Sequence, residues 1–251
     1  MLEPLREHAG SLRLHGDWPT RETLQALIRA RGVVTAGGTP LRLVPDSGTV
    51  PYEARLRVRG EMQHRDRDWH DLFSVLAWLT YPKTKAALND AHHARLHGAA
   101  AGGRRGAARD ALTLFDENGA IVLASDPGLL EDVREFRWKR LFRDRRDAVR
   151  AAMRVHVFGH ALLEKALRPY VGMSAHAVLL QVPVEHFVQP RVTELEAVDA
   201  LAADAVRSLT TPRALSPLPV LGVPGWWHEN EEPAFYDNAA YFREGRKRRA
   251  G

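Results

Sequence analysis

Between Trp69 and His93 two apolar helical patterns meet at Tyr81-Pro82, in the run WHDLFSVLAWLTYPKTKAALNDAHH. Proline lacks the amide that a helix interior needs and disfavours helix in the residue before it, yet it suits the first turn of a new helix. The run therefore predicts two consecutive helices broken at residue 81, not one long rod. On the first, Leu72, Phe73, Leu76 and Leu79 pack inward, and the three-or-four spacing leaves His70, Ser74 and Tyr81 on another face. On the second, Lys85, Asn89 and His92 or His93 line one side, with Ala87, Leu88 and Ala91 available for close packing. If the break folds the helices together their polar faces meet, and His70 or Asp71 approaches Asn89 and His93.

Other segments carry weaker but readable patterns. Thr20 is placed to cap a helix through Leu24, Leu27 and Ile28 that stops at Gly32. Residues 33–44 read as a short hairpin or a strand pair around Gly37-Gly38, and Tyr52–Arg59 alternates in period two, which predicts a strand with one charged face. Residues 98–109 read as a glycine- and arginine-rich loop. Residues 111–124, ALTLFDENGAIVLA, predict a hairpin in which Asn118-Gly119 makes a type I′ turn and Asp116 and Glu117 serve as turn residues. Asp126-Pro127 opens a helical stretch, residues 153–158 and 175–184 read as strands, Gly159 starts a helix from His160, and residues 192–209 form an amphipathic helix. The expectation is one α+β domain with a mixed or antiparallel sheet and several packed helices. Its core spans residues 20–215, a Pro- and aromatic-rich C-terminal wrap covers 216–243, and a basic tail occupies 244–251.

The absence of cysteine removes disulfides, thiolate zinc sites and a thiol nucleophile, so metal or acid–base chemistry falls to His, Asp, Glu and Asn. The net charge of +5, with arginine runs near residues 104–109, 134–154 and 243–249, favours anionic partners, nucleic acid among them. No stretch of about 18 apolar residues and no basic-then-apolar leader is present, which points to a cytoplasmic protein. Glycine-rich nucleotide loops, a GxSxG elbow, HExxH and an EF-hand loop are also missing from the sequence, which disfavours the common NTPases, α/β-hydrolases and zinc proteases.

Several blocks resemble one known family. They are Tyr52-Glu53, WHDLF at residues 69–73, YPKTKAALN at 81–89, RDALTLFDENG at 109–119, FGHALLEK at 158–165, and PGWW followed by FYDN near the end. Together they are similar to DUF3025, a family of uncharacterised bacterial proteins. The resemblance implies a cytoplasmic bacterial protein and carries no reaction with it.

Two chemistries fit the residues around the proline break. In the first, His70, Asp71 and His93 hold a divalent metal or act as acid–base groups, oriented by Asn89, and the metal-bound water attacks a phosphodiester or similar bond. His93 and His97, four apart, would share a helical face as a metal pair. In the second, Lys83, Lys85 and the amides that open the second helix form an anion site, assisted by Arg104, Arg105 or Arg109. A secondary place lies at Phe158-Gly159-His160, where Glu164 stands one helical turn from His160 and Asp110 could reach in from the neighbouring segment. The expected function is a hydrolase of phosphate-containing or nucleic-acid substrates. Its alternative is a non-catalytic module that binds nucleic acid or another anionic ligand, with a structural histidine cluster.

Overall fold

The Pro82 break falls where proline geometry puts it. The computed structural model describes residues 1–12, 18–45, 52–97 and 104–245. The elements in chain order are α1 (Arg6–Ser11), α2 (Arg21–Arg31), β1 (Arg42–Val44), α3 (Tyr52–Arg59), β2 (Glu61–Gln63), α4 (Trp69–Thr80), α5 (Pro82–His97) and α6 (Arg104–Asn118). They continue with β3 (Gly119–Ala124), α7 (Pro127–Arg134), α8 (Arg146–Ala152), β4 (Met153–Val157), α9 (His160–Lys165), β5 (Ser174–Gln181), α10 (Arg191–Arg207) and β6 (Ser216–Pro219). Short 3-10 turns punctuate the chain, and a π-helical turn occupies Lys139–Asp144.

The main sheet is mixed, as expected. Its order is β4-β3-β5-β6, with β3 antiparallel to β4 and parallel to β5, and β6 antiparallel to β5. Every residue of β3 is buried, because helices cover both faces. Ile121 and Leu123 point into a cluster with Leu88 of α5, Leu112 and Phe115 of α6, and Val198 and Val206 of α10. Ala120, Val122 and Ala124 point the other way, into a larger cluster with Leu72 and Leu76 of α4, Leu129 of α7, Leu162 of α9 and the C-terminal Tyr236 and Phe242. The two-residue period of a strand thus divides the core into two layers.

Local signals account for many of the boundaries. Thr20 caps α2 by accepting the Thr23 amide at 3.2 Å, and Gly32 stops it at φ 64°. Asp68 caps α4 through the Asp71 amide at 3.0 Å, and Asp126 accepts the Gly128 amide at the start of α7. The C-terminal wrap is anchored by polar contacts as well as rings: Asn230 donates to the Leu221 and Val223 carbonyls at 2.7 and 2.8 Å, and the Tyr236 hydroxyl donates to Gly222 at 3.0 Å. Among the described residues no helix is long and apolar enough to cross a membrane.

Four expectations are corrected. Tyr52–Arg59 is helix, not strand: Arg55 and Leu56 are adjacent and both buried, while Val58 is exposed, which a two-sided strand alternation does not produce. The 111–124 hairpin is a helix followed by a strand. Ala111, Leu112 and Phe115 form one helical face buried in the core, so α6 runs through Asn118 and β3 begins at Gly119. The loop expected over 98–109 becomes helix from Arg104, with 98–103 outside the described residues. In residues 33–44 the expected hairpin is reduced to the antiparallel Val34–Pro40 bridge around Gly37-Gly38, and the strand β1 that follows it pairs in parallel with β2 instead.

Candidate metal centre

One pair of backbone hydrogen bonds and two glycines bring distant segments together. The Phe158 and Gly159 amides both donate to the Gly119 carbonyl, at 3.0 and 2.9 Å. A Cβ on Gly159 would lie 2.4 Å from the Gly119 nitrogen and 2.5 Å from the Glu117 carbonyl oxygen, and one on Gly119 would lie 2.1 Å from the Phe115 carbonyl oxygen. Gly159 has φ −64°, which any residue adopts, so glycine is required there for space. The contact places the last turn of α6, with Asp116 and Glu117, against α9, which opens with His160 and carries Glu164 one turn later. The first turn of α4 brings His70 from the third side.

The geometry is that of a small ligand set. His70 Nε2 and His160 Nε2 are 2.9 Å apart, with their rings edge to face, and His160 Nε2 is 3.6 Å from Glu117 Oε1. One ligand atom from each of His70, Glu117 and His160 lies within 4.8 Å of the other two. Behind them, His70 Nδ1 is 3.3 Å from Glu164 Oε2, and His160 Nδ1 is 4.0 Å from Asp116 Oδ1. Asp116 accepts from the buried Lys85 ammonium at 2.6 Å, and Lys165 reaches Asn118 Oδ1 at 2.9 Å on the rim. His160 forms the buried floor, while His70, Glu117 and Glu164 are partly exposed to solvent.

The neutral imidazole tautomers leave one contact unsatisfied, which a second proton on His70 or a shared cation would relieve. With His70 Nδ1–H donating to Glu164, the His70 Nε2 lone pair faces His160. If His160 carries its proton on Nε2, its Nδ1 becomes a bare acceptor beside the Asp116 carboxylate, and that Nδ1 has no hydrogen-bond partner. If the proton is on Nδ1 instead, two lone pairs face each other at 2.9 Å. Burial lowers the His160 pKa to about 4 against the pull of Asp116, so the ring is neutral at pH 7 and offers a lone pair. Glu117 is pushed up by burial first and by the Asp116 charge second, the response of a carboxylate short of positive charge. Asp116 itself is held low: burial raises it, but the charge and hydrogen bond of Lys85, with His160 and His92, more than offset that. With metal–ligand bonds of about 2.0–2.1 Å, two ligands of one ion lie about 2.9–3.4 Å apart at octahedral to tetrahedral angles; the His70–His160 spacing of 2.9 Å fits that range, and the His160–Glu117 spacing of 3.6 Å would close by a few tenths of an ångström on binding. Two histidines and one carboxylate fit a divalent transition ion with open positions.

The residues expected from sequence divide sharply. His70, assigned to one place, and His160 with Glu164, assigned to another, form one cluster. Asp71 is turned away and held by Arg65, accepting its Nε at 3.0 Å, its Nη2 at 2.9 Å and its amide at 2.7 Å. Asn89 donates to the Glu53 carboxylate and carbonyl at 2.7 and 3.1 Å and orients no histidine. His93 lies on α5 outside the group, and the side chains of His97, Arg104 and Arg105 lie outside the described ones. The amides that open α5 are taken internally: Lys83 and Thr84 donate to Asp199 at 2.9 and 2.8 Å. Lys85 is spent on Asp116, and Arg109 and Asp110 are exposed on α6. The anion site expected at that helix start is therefore replaced by an internal cap. Asp116 and Glu117 were the residues missed, and the signal for them was the helical face of Ala111, Leu112 and Phe115, which continues α6 to the cluster.

Next to the cluster, burial raises Glu53 to about 7 against the Asn89 hydrogen bond. A carboxyl whose folded pKa lies above its unfolded value contributes stability that is complete below about pH 4.5 and lost as pH rises through about 7. Glu53→Gln is therefore expected to raise the thermal midpoint at pH 8 and leave it nearly unchanged at pH 4.5. Parallel melts of the parent and variant across that window check it, and a pH-independent difference would refute the assignment.

Fold and cluster define an α+β protein that carries a two-histidine, one-carboxylate group at a helix–helix–helix junction. The family model described as "Protein of unknown function (DUF3025)" matches residues 42–246, and the chain belongs to that family. No curated protein and no solved structure matches it.

Proposed function

We propose that the chain is a metal-dependent hydrolase of phosphate-containing substrates, with His70, His160 and Glu117 as ligands of one divalent ion. The observation that carries this reading is the convergence of the three ligand atoms with Glu164 behind His70. A carboxylate on the far nitrogen of a metal-bound imidazole fixes its tautomer and raises its basicity. When bound, such an ion lowers the pKa of a coordinated water and polarises a phosphoryl oxygen. The chain's own residues set up that chemistry. Glu164 aims His70, the glycine contact aims His160 and Glu117, and Lys85 holds Asp116 ionised against the floor. Lys165, on the rim beside Glu117, supplies positive charge for a substrate phosphate, and the basic balance of the chain draws such anions in.

The test is the metal content of untagged protein purified without chelator, followed by hydrolysis of bis(4-nitrophenyl) phosphate with added Zn²⁺ or Mn²⁺. Near-stoichiometric metal is expected in the parent and in His93→Ala. It should be lost in His160→Gln and Glu117→Gln, with affinity weakened about 10–100-fold in Glu164→Gln. Hydrolysis should fall with the metal. A parent that contains no metal, and that neither ion stabilises against heat, would falsify the reading.

A further inference from the structure

A void of about 10 Å³ lies between α3, α4, α5 and α6, lined by residues that include Glu53, Trp78, Lys85, Asn89 and Asp116. That is the room one water molecule needs, and no more. Two of the lining residues are buried and keep a polar atom unmet. Trp78 is 1% exposed, and its Nε1, which can only donate, has no partner; Asn89 is 3% exposed, and its Oδ1, which can only accept, has none either. Glu53 orients the Asn89 amide, because Nδ2 donates to the Glu53 main-chain carbonyl at 3.1 Å and that oxygen can only accept. A flipped amide would set two acceptors against each other, so Oδ1 is the free end.

The charges around the void decide what fills it. Lys85, 5% exposed, donates to Asp116 at 2.6 Å, and its ammonium, 5.9 Å from the Trp78 ring centre, has two further N–H groups to give. On the other side the Glu53 carboxyl accepts from Asn89 Nδ2 at 2.7 Å. A cation in the void would face the Lys85 ammonium and the Trp78 N–H. An anion would face Asn89 Oδ1 and the Glu53 and Asp116 carboxylates. A neutral group that accepts twice and donates twice meets neither conflict: it takes hydrogen bonds from Trp78 Nε1 and Lys85 and gives them to Asn89 Oδ1 and the Glu53 carboxyl. Left dry, the unmet donor and acceptor would each carry the full cost of burial without a bond.

We infer that the void binds one internal water through Trp78 Nε1, Asn89 Oδ1 and Lys85, and that this water joins the Glu53–Asn89 pair to the Lys85–Asp116 pair behind His160. The joined chain runs from the partly buried Glu53 to Asp116, whose Oδ1 lies 4.0 Å from His160 Nδ1, so it braces the floor of the candidate centre from the side away from solvent. All of its contacts come from the chain itself, and none depends on a metal. A crystal structure of the full chain at a resolution that shows ordered water, with water–protein cross-relaxation spectra of the same protein, tests it. Density for one water within about 3.2 Å of both Trp78 Nε1 and Asn89 Oδ1 is expected. The Trp78 indole proton should show a cross-peak to water whose NOE and ROE have opposite signs, the mark of a long-lived site. Asn89→Leu, which removes the acceptor and fills the void with methyl groups, should lose both signals, and EDTA should change neither. The inference is overturned if the void is empty in the parent, if the indole proton shows no such cross-peak, if Asn89→Leu retains the water, or if EDTA removes it. Should Asn89→Leu fail to fold, the density and the cross-peak of the parent still decide.

Discussion

Asp199→Ala is expected to lower the unfolding free energy by about 3 kcal/mol, because it removes the internal cap of α5 and leaves buried donors without acceptors. The Asp199 carboxylate is 2% exposed and accepts the Lys83 amide at 2.9 Å, the Thr84 amide at 2.8 Å and the Thr84 hydroxyl at 2.8 Å. The first amides of a helix have no partner of their own, and here α10 supplies one from 115 residues away. The loss should exceed that of an ordinary surface cap, since water cannot reach the vacated amides easily. Asp199→Asn, which keeps an acceptor oxygen, should lose clearly less. Urea unfolding followed by circular dichroism reads both. A loss below about 0.5 kcal/mol for the alanine variant, the range of surface substitutions, would show that the contact is not formed.

The same contact explains why half of the site was legible in the sequence and half was not. The proline break and apolar faces locate α4 and α5 correctly, because those signals are local. An unpaired helix start is also a local inference, and it suggested a ligand anion at Lys83, Lys85 and the amides that open the second helix. Only the tertiary fold supplies Asp199, and it removes that suggestion. Helical facing likewise put Asn89 near His70, yet the two are on different helices whose mutual rotation no spacing rule sets. Asn89 turns instead to Glu53 of α3, a segment whose charge alternation imitates a strand.

The histidine cluster shows the converse. Phe158-Gly159-His160 and Glu164 stood out for a strand-to-helix junction with an imidazole at its mouth, and His70 for a polar face beside an apolar one. Their union at 2.9 Å spans 90 residues and has no local signature. Asp116 and Glu117 were hidden by Asn118-Gly119, which has the residues of a type I′ turn but serves as a helix end. Gly119 does not take the positive φ of that turn and is needed instead for close approach to Phe115 and Gly159. A dipeptide that suits two structures is resolved by what the preceding helix buries.

Gly159→Ala should therefore disable the candidate centre more completely than its size suggests. The added methyl would meet three backbone atoms within 2.6 Å, the Gly119 nitrogen, the Glu117 carbonyl oxygen and the Asn118 nitrogen, and none of these can swing aside as a side chain would. Relief requires α9 and the end of α6 to separate, which carries His160 away from Glu117 and weakens the Phe158 and Gly159 hydrogen bonds to Gly119. Overpacking of this kind costs about 1–3 kcal/mol, and a ligand set loses affinity steeply when its geometry relaxes by a fraction of an ångström. The expected result is a folded variant with a lowered thermal midpoint and no retained divalent metal. Gly106→Ala is the control, since nothing lies within 4 Å of its Cβ position on the exposed side of α6, and it should be neutral or stabilising by about 0.5–1 kcal/mol with the metal kept. Equal metal content in the parent and Gly159→Ala would mean that the α6–α9 contact does not set the ligand geometry, even if both variants fold.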